Sequence, residues 1–208
     1  MRALLITAAV CAVLTALCIV TLDQPFARWI ATRETYPPFW NTVIGYLEYP
    51  LGIEPYKWAG IDMLVGASLV TVFVPRLRTH AHIWLLLALS HLLGRNIMFW
   101  AKTLTGRLRP SEWLARGGDT FWRDGGYSFP SGHVILFASV VLPIALAYPR
   151  ARPLLGVVAF AMIARVAVNA HFLSDVLGGL AVSAAVTWTC ARALRRALPS
   201  QIRPPYLQ

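Results

Sequence analysis

"SFPSGHVILFASVVLPIALAY", residues 128–148, sets a Pro-Ser-Gly turn and a histidine at the lip of a run that stays apolar to its end. Five more apolar runs share the chain: Ala3–Leu22, Trp58–Pro75, Ile83–Trp100, Pro153–Ala170 and Val176–Ala191. Most approach the ~20 residues an α-helix needs to cross ~30 Å of hydrocarbon. The run Val134–Tyr148 is shorter, and Pro130–His133 is expected to lengthen its outer end. Of 208 residues, 57% are hydrophobic and only 13% charged, with a mean hydropathy of +0.58. Disorder is excluded by that balance, and a soluble domain fits it poorly. The expected fold is all-α: one six-transmembrane-helix bundle, residues 1–208 forming a single membrane domain.

Charge orients such a bundle. The formal net charge is +10, which would suggest nucleic acid if it were spread evenly. Instead Arg2, Arg76, Arg78, Arg150, Arg152, Arg192, Arg195, Arg196 and Arg203 fall at the N-terminus, in the second and fourth connections and in the C-terminal tail. Those segments carry no acid. The positive-inside rule then places both termini in the cytoplasm, and six crossings return the chain to its starting side. The basic tail suits anionic lipid, so no nucleic-acid partner is expected. Arg2 precedes the first run as in a signal peptide, but no small-x-small site closes that run, which reads as an uncleaved helix. Cys11, Cys18 and Cys190 lie inside runs without metal-ligand spacing and read as small apolar fillers.

Three connections face outward. The first, residues 23–57, opens with Asp23 and Pro25, cap and first-turn residues. Phe26, Trp29 and Ile30 follow at helical spacing, which predicts a short interfacial helix. Tyr36, Phe39, Trp40, Tyr46, Tyr49, Tyr56 and Trp58 form an aromatic belt at headgroup depth. The second, residues 103–132, holds Arg107, Arg109, Arg116 and Arg123. The third is a few residues around His171. Lys102, His133, His171 and Asp175 thus share the outer end, at the membrane–water boundary.

Each motif there has a bland reading beside a chemical one. In "KTLTGRLRP" Lys102 and Arg109 are seven apart, two turns if the helix persists, with Pro110 ending regular structure. Both could face one multiply charged oxyanion, although a single cation at a helix end commonly only snorkels. Ser131 and Gly132 precede a helix whose N-terminal amides can accept phosphate. His133 beside that anion could give a proton to a leaving oxygen, or simply sit at a helix start. In "RVAVNAHFLSD" His171 and Asp175 are four apart, so a carboxylate can hold one ring nitrogen and leave the other as nucleophile. Arg165 lies about two turns before His171 in an apolar run, where a charge needs a reason. An ion pair with Asp175 is its structural reading. A buried Arg95–Asp62 pair, with His91 near it, is the expected use of the remaining charges in the second and third runs. His80 and His82 read as cytoplasmic-loop residues.

Taken together these motifs resemble the type 2 phosphatidic acid phosphatase superfamily, related to bacterial acid phosphatases and haloperoxidases. Lys102, Arg109 and Pro110 match its Lys-x6-Arg-Pro. Pro130, Ser131, Gly132 and His133 match Pro-Ser-Gly-His. Arg165, His171 and Asp175 match Ser-Arg-x5-His-x3-Asp, with Ala164 in place of the serine. The resemblance covers the core from 102 to 175. It implies that His171 forms a phosphohistidine, Asp175 orients it and His133 protonates the leaving group. Lys102, Arg109, Arg165, Ser131 and Gly132 would hold the phosphoryl oxygens, with no metal and no cofactor.

The expected substrate is a lipid phosphate or pyrophosphate: undecaprenyl pyrophosphate, phosphatidylglycerophosphate, phosphatidic acid or a lipid A phosphate. Besides that lipid and the bilayer, no obligate protein partner is inferred. The expected location is a bacterial inner membrane, with the site facing the periplasm or cell exterior. Three alternatives stand beside this reading: transfer of the phosphoryl group to another lipid, a serine hydrolase using Ser131 with His171, and a non-catalytic lipid transporter.

Overall fold

The computed structural model describes residues 1–33, 37–48, 59–118, 121–122, 125–198 and 204–207. Tyr36, Tyr49, Tyr56 and Trp58 of the aromatic belt, with Arg123 and Arg203, lie outside them. The order is α1 (Arg2–Thr21), α2 (Asp23–Ala31), α3 (Pro37–Glu48), α4 (Ala59–Phe73), α5 (Ala81–Thr105), α6 (Pro110–Ala115), α7 (Gly132–Ala147), α8 (Leu155–Ala167) and α9 (Leu173–Ala197). Short 3-10 turns at Pro75–His80, Pro149–Leu154 and Pro205–Leu207 complete it. No strand occurs among the described residues.

Three helical stretches are long and apolar enough to cross a membrane: Arg2–Thr21, Pro75–Ala115, which contains α5, and Leu173–Ala197. Helices α4, α7 and α8 are apolar but run 15, 16 and 13 residues. The start of α7 at Gly132 lengthens its run by two residues only, because Pro130 has no N–H and Ser131 is extended as the N-cap. Along α1, Ile6, Val10, Val13, Leu17 and Val20 are all half or more exposed. A face of that kind suits lipid better than water.

The interior is a bundle in which α1 lies along α9, α5 packs on α4, α7 and α9, and α8 packs on α7. Its main cluster runs through Val134, Phe137, Ala138, Ala161, Ala164, Val176 and Ala184. Small residues on α8 and α9 let α7 approach closely, as bundles of apolar helices require. A second cluster joins Met1, Leu86, Cys190, Leu194, Tyr206 and Leu207, so both termini and the start of α5 share one end. The three cysteines are free and buried, as fillers should be.

Three expectations change. Asp23 makes no capping hydrogen bond; it is the first residue of α2 and its carboxylate is buried against distant partners. Pro110 does not end regular structure but begins α6, a first-turn position where a missing N–H costs nothing. Asp62 is exposed on α4, so it forms no buried pair with Arg95, and buried His91 instead binds Ser139 Oγ through Nδ1 at 2.8 Å.

Candidate active site

Helix α5 closes at Gly106, whose left-handed φ of 51° lets its N–H bond back to the Lys102 carbonyl at 3.0 Å. Lys102 therefore stands in the last helical turn. Arg109 is not two turns further along the same helix, as its spacing suggested. It follows an extended segment and is itself extended (φ −73°, ψ 155°), the conformation a residue before proline prefers. Glu112 accepts its backbone N–H at 2.8 Å.

That extended segment is pinned to the stretch before the Pro-Ser-Gly turn. Leu108 N–H bonds Phe121 O at 2.9 Å, Ser128 N–H bonds Arg107 O at 2.9 Å and Gly126 N–H bonds Gly106 O at 3.1 Å. Gly126 is required there, since an added Cβ would fall 2.3 Å from the Arg107 carbonyl oxygen. Lys102 Nζ donates to the carbonyls of Tyr127 and, at 3.4 Å, Ser128. The turn itself rests on α9: Ser131 N–H bonds Asp175 O at 2.9 Å, and a Cβ at Gly179 would meet Ser131 O at 3.0 Å. His133 follows in the first turn of α7. Its Nε2 meets the carboxylate of Glu48, which α3 brings across α8 with Trp40 stacked on Phe160 at 5.6 Å.

The turn between α8 and α9 presents His171. Asn169 takes a left-handed φ of 54°, which asparagine tolerates, and the N–H groups of Ala170 and His171 both bond Arg165 O at 3.1 Å. Asp175 stands in the first turn of α9, its Oδ2 accepting Phe172 N–H at 2.8 Å. The same Oδ2 lies 3.4 Å from His171 Nδ1 and accepts Ser128 O–H at 2.5 Å. The carboxylate, seated as a cap at a helix start and not in the full helical turn that the four-residue spacing suggested, flanks Nδ1 together with Ser128 Oγ, which also lies 3.4 Å from it. Nε2 is left for the site.

The electrostatics are one-sided. Lys102 interacts with Asp175, Arg109 and Arg165, and Arg165 with Arg109 and Glu48. Three cations within electrostatic reach of one another make this end of the bundle strongly positive. Ser131 Oγ and Arg165 Nε are buried and have no hydrogen-bond partner among the described residues. Burial pushes the His171 imidazole down to about 4, outweighing the opposite pull of Asp175; Lys102 and Arg165 add to the lowering. Among the described residues no group of three His, Cys, Asp or Glu is arranged for a metal.

All eight sequence-predicted residues thus meet at one end of the bundle. Arg165 does not pair with Asp175, however. That partner is Arg107, whose guanidinium reaches Asp175 Oδ1 at 2.7 Å and Asp23 Oδ2 at 2.5 Å, all three side chains fully buried. Arg107, Asp23, Ser128, Ser174 and Glu48 were not legible as site residues. Only Ser128 carried a signal, its adjacency to the turn. Ala164 is buried in the main apolar cluster.

The chain matches the PAP2 superfamily over residues 81–199, more than half its length, and belongs to that superfamily. Its class is that of a phosphatase acting on phosphate esters. No curated protein and no solved structure matches it.

Proposed function

We propose that this protein is an integral-membrane lipid phosphatase that hydrolyses a phosphomonoester or pyrophosphate through a phosphohistidine at His171. The observation that carries it is the His171 ring, buried beside Asp175 and facing a cluster of cations. A neutral imidazole whose Nδ1–H is held by a carboxylate is an activated nucleophile at Nε2.

In the first step Nε2 attacks phosphorus, forming N–P and breaking the P–O bond to the lipid, while His133 gives its proton to the leaving oxygen. In the second, water attacks phosphorus, its proton passes to His133, and the N–P bond breaks to release phosphate. Asp175 balances the positive charge that His171 gains. Lys102, Arg109 and Arg165, with Ser131 and the Gly132 amide at the start of α7, hold the three equatorial oxygens as charge shifts onto them. Built-in cations can supply the stabilisation that a divalent metal would otherwise bring. Glu48 holds the His133 ring from the side of α3.

The apolar outer faces of the helices support a lipid substrate approaching sideways. The arginine asymmetry supports six crossings, both termini in the cytoplasm, α2 at the interface and the site at the extracytoplasmic surface, all in one domain.

The test is inorganic phosphate release by purified protein in detergent with EDTA, against phosphatidic acid, phosphatidylglycerophosphate, undecaprenyl pyrophosphate and lipid A. Release by wild type, with none by His171→Ala and an acid-labile phosphoenzyme trapped on His171, is expected. Equal release by the His171→Ala protein, or no release from any substrate, would overturn the proposal.

A further inference from the structure

Arg107 sits outside the motif positions and is nevertheless fully buried beside the site. Its guanidinium lies over the rings of Phe172, Trp122, Phe121 and Phe129 at 4.4, 4.5, 4.9 and 5.9 Å. One terminal nitrogen donates to Ser174 Oγ at 2.6 Å and Asp175 Oδ1 at 2.7 Å; the other donates to Asp23 Oδ2 at 2.5 Å. Asp23 closes the loop by accepting Ser174 N–H at 3.0 Å and its hydroxyl at 2.5 Å. A charge so buried is costly unless each of its partners is placed to receive it.

The chemistry of that arrangement is specific. Asp175 divides its two oxygens: Oδ1 is taken by Arg107, and Oδ2 faces Ser128, Phe172 N–H and His171. Only a planar fork can hold Oδ1 while its other arm holds Asp23. Asp23 draws part of the guanidinium charge away from Asp175, so the buried trio keeps a net negative charge next to His171. Asp23 also belongs to α2, which precedes the residues matching the family. Helix α2 is tied to the same turn a second time, by Asn169 Nδ2 donating to Ala27 O at 3.3 Å, and packs Ala27 against Trp113 and Phe172.

We infer that Arg107 and Asp23 are positioning residues for the nucleophile, making α2 part of the catalytic scaffold rather than only an interfacial anchor. Through Asp175 they set the orientation and tautomer of His171. The inference rests on the phosphohistidine reading for its catalytic consequence, but the tautomer is observable without any substrate.

The experiment compares wild type, Asp23→Asn and Arg107→Lys in detergent. Phosphate release from phosphatidic acid gives kcat and KM, and the imidazole ¹⁵N spectrum of histidine-labelled protein gives the tautomer, with His171 assigned from His171→Gln. Asp23→Asn preserves an acceptor for Ser174 but removes the charge, and Arg107→Lys preserves the charge but removes the fork. Each is expected to lower kcat by about 10- to 100-fold, the range seen when a group orienting a histidine from behind is lost. KM should stay within about twofold, because neither residue is placed to touch phosphate. In both variants His171 should shift from the Nδ1–H tautomer towards Nε2–H. A folded Asp23→Asn protein with wild-type kcat and tautomer would reduce the network to a structural strut and overturn the inference, as would a loss confined to KM. If Arg107→Lys fails to fold, Asp23→Asn decides alone. Inactive wild type with a tautomer that still responds to Asp23→Asn would sink the phosphatase reading and leave the positioning role standing.

Discussion

At the scale of single residues, the proposed chemistry depends on one histidine being kept neutral and one carboxylate being kept busy. With the His171 ring held down at about 4, Nε2 retains its lone pair through the whole range above pH 5. Folding stability carries the same signature with a definite sign. Between the ordinary histidine value near 6.5 and about 4 the unfolded chain binds a proton that the folded protein refuses, so stability falls as pH drops through that window. His171→Gln should therefore lose less stability than wild type between pH 6.5 and 4.5, by up to about 2–3 kcal/mol. Thermal unfolding in detergent at the two pH values measures it, and parallel curves for the two proteins would refute the assignment. In the proposed mechanism Ser131 offers its hydroxyl to the phosphoryl group, and Ser131→Ala should lower kcat about tenfold without abolishing the phosphoenzyme. A complete loss at Ser131, with labelling by a serine-directed probe, would favour a serine hydrolase instead.

Among the elements, the decisive contact is the glycine face of α9 against the Pro-Ser-Gly turn. Gly178 and Gly179 stand one turn into the helix, and added Cβ atoms would meet the Phe129 ring at 2.7 Å and Ser131 O at 3.0 Å. Alanine would normally favour a helix interior by about 1 kcal/mol over glycine. Here overpacking of about 1–3 kcal/mol opposes that gain, and the atom to be moved at Gly179 is backbone of the Pro-Ser-Gly turn. Gly179→Ala is expected to keep its helix content while activity falls at least about tenfold, since small misplacements of positioned groups are costly. Gly156→Ala, with nothing within 4 Å of the new methyl, is the control and should be silent. Circular dichroism and phosphate release on both proteins make the comparison; equal activities would show that the turn does not depend on this seat.

For the whole molecule, the two ends of the bundle differ in kind. One gathers Met1, Tyr206 and Leu207 beside the start of α5, and the other gathers the motif residues. If the arginines at the termini face the cytoplasm, the site faces the other compartment. Because Cys11, Cys18 and Cys190 are buried, single exposed cysteines can be read over a quiet background. Arg196→Cys should react with an impermeant maleimide only in inside-out vesicles, and Tyr127→Cys only in right-side-out ones. Labelling of both from the same side would mean that the chain does not separate its termini from its site.

Helix class, the rough extent of the apolar runs and the three motifs were legible in the sequence, because each depends on spacing along the chain. Hydrophobic length and helical period are local quantities, and Pro-Ser-Gly-His or His-x3-Asp keeps its meaning within a turn or two. Helix ends were less legible: Gly106 and Pro110 act through backbone conformation and capping, which reset the geometry between Lys102 and Arg109. The tertiary structure alone decided which buried charges meet. Arg107 and Asp23 are 84 residues apart; by local pattern one reads as a connection arginine and the other as a helix cap. No periodicity states which distant carboxylate will share a guanidinium. That choice follows from the docking of α2 on the α8–α9 turn, which encloses all three charges together with the Ser174, Ser128 and Phe172 groups that complete their hydrogen bonds.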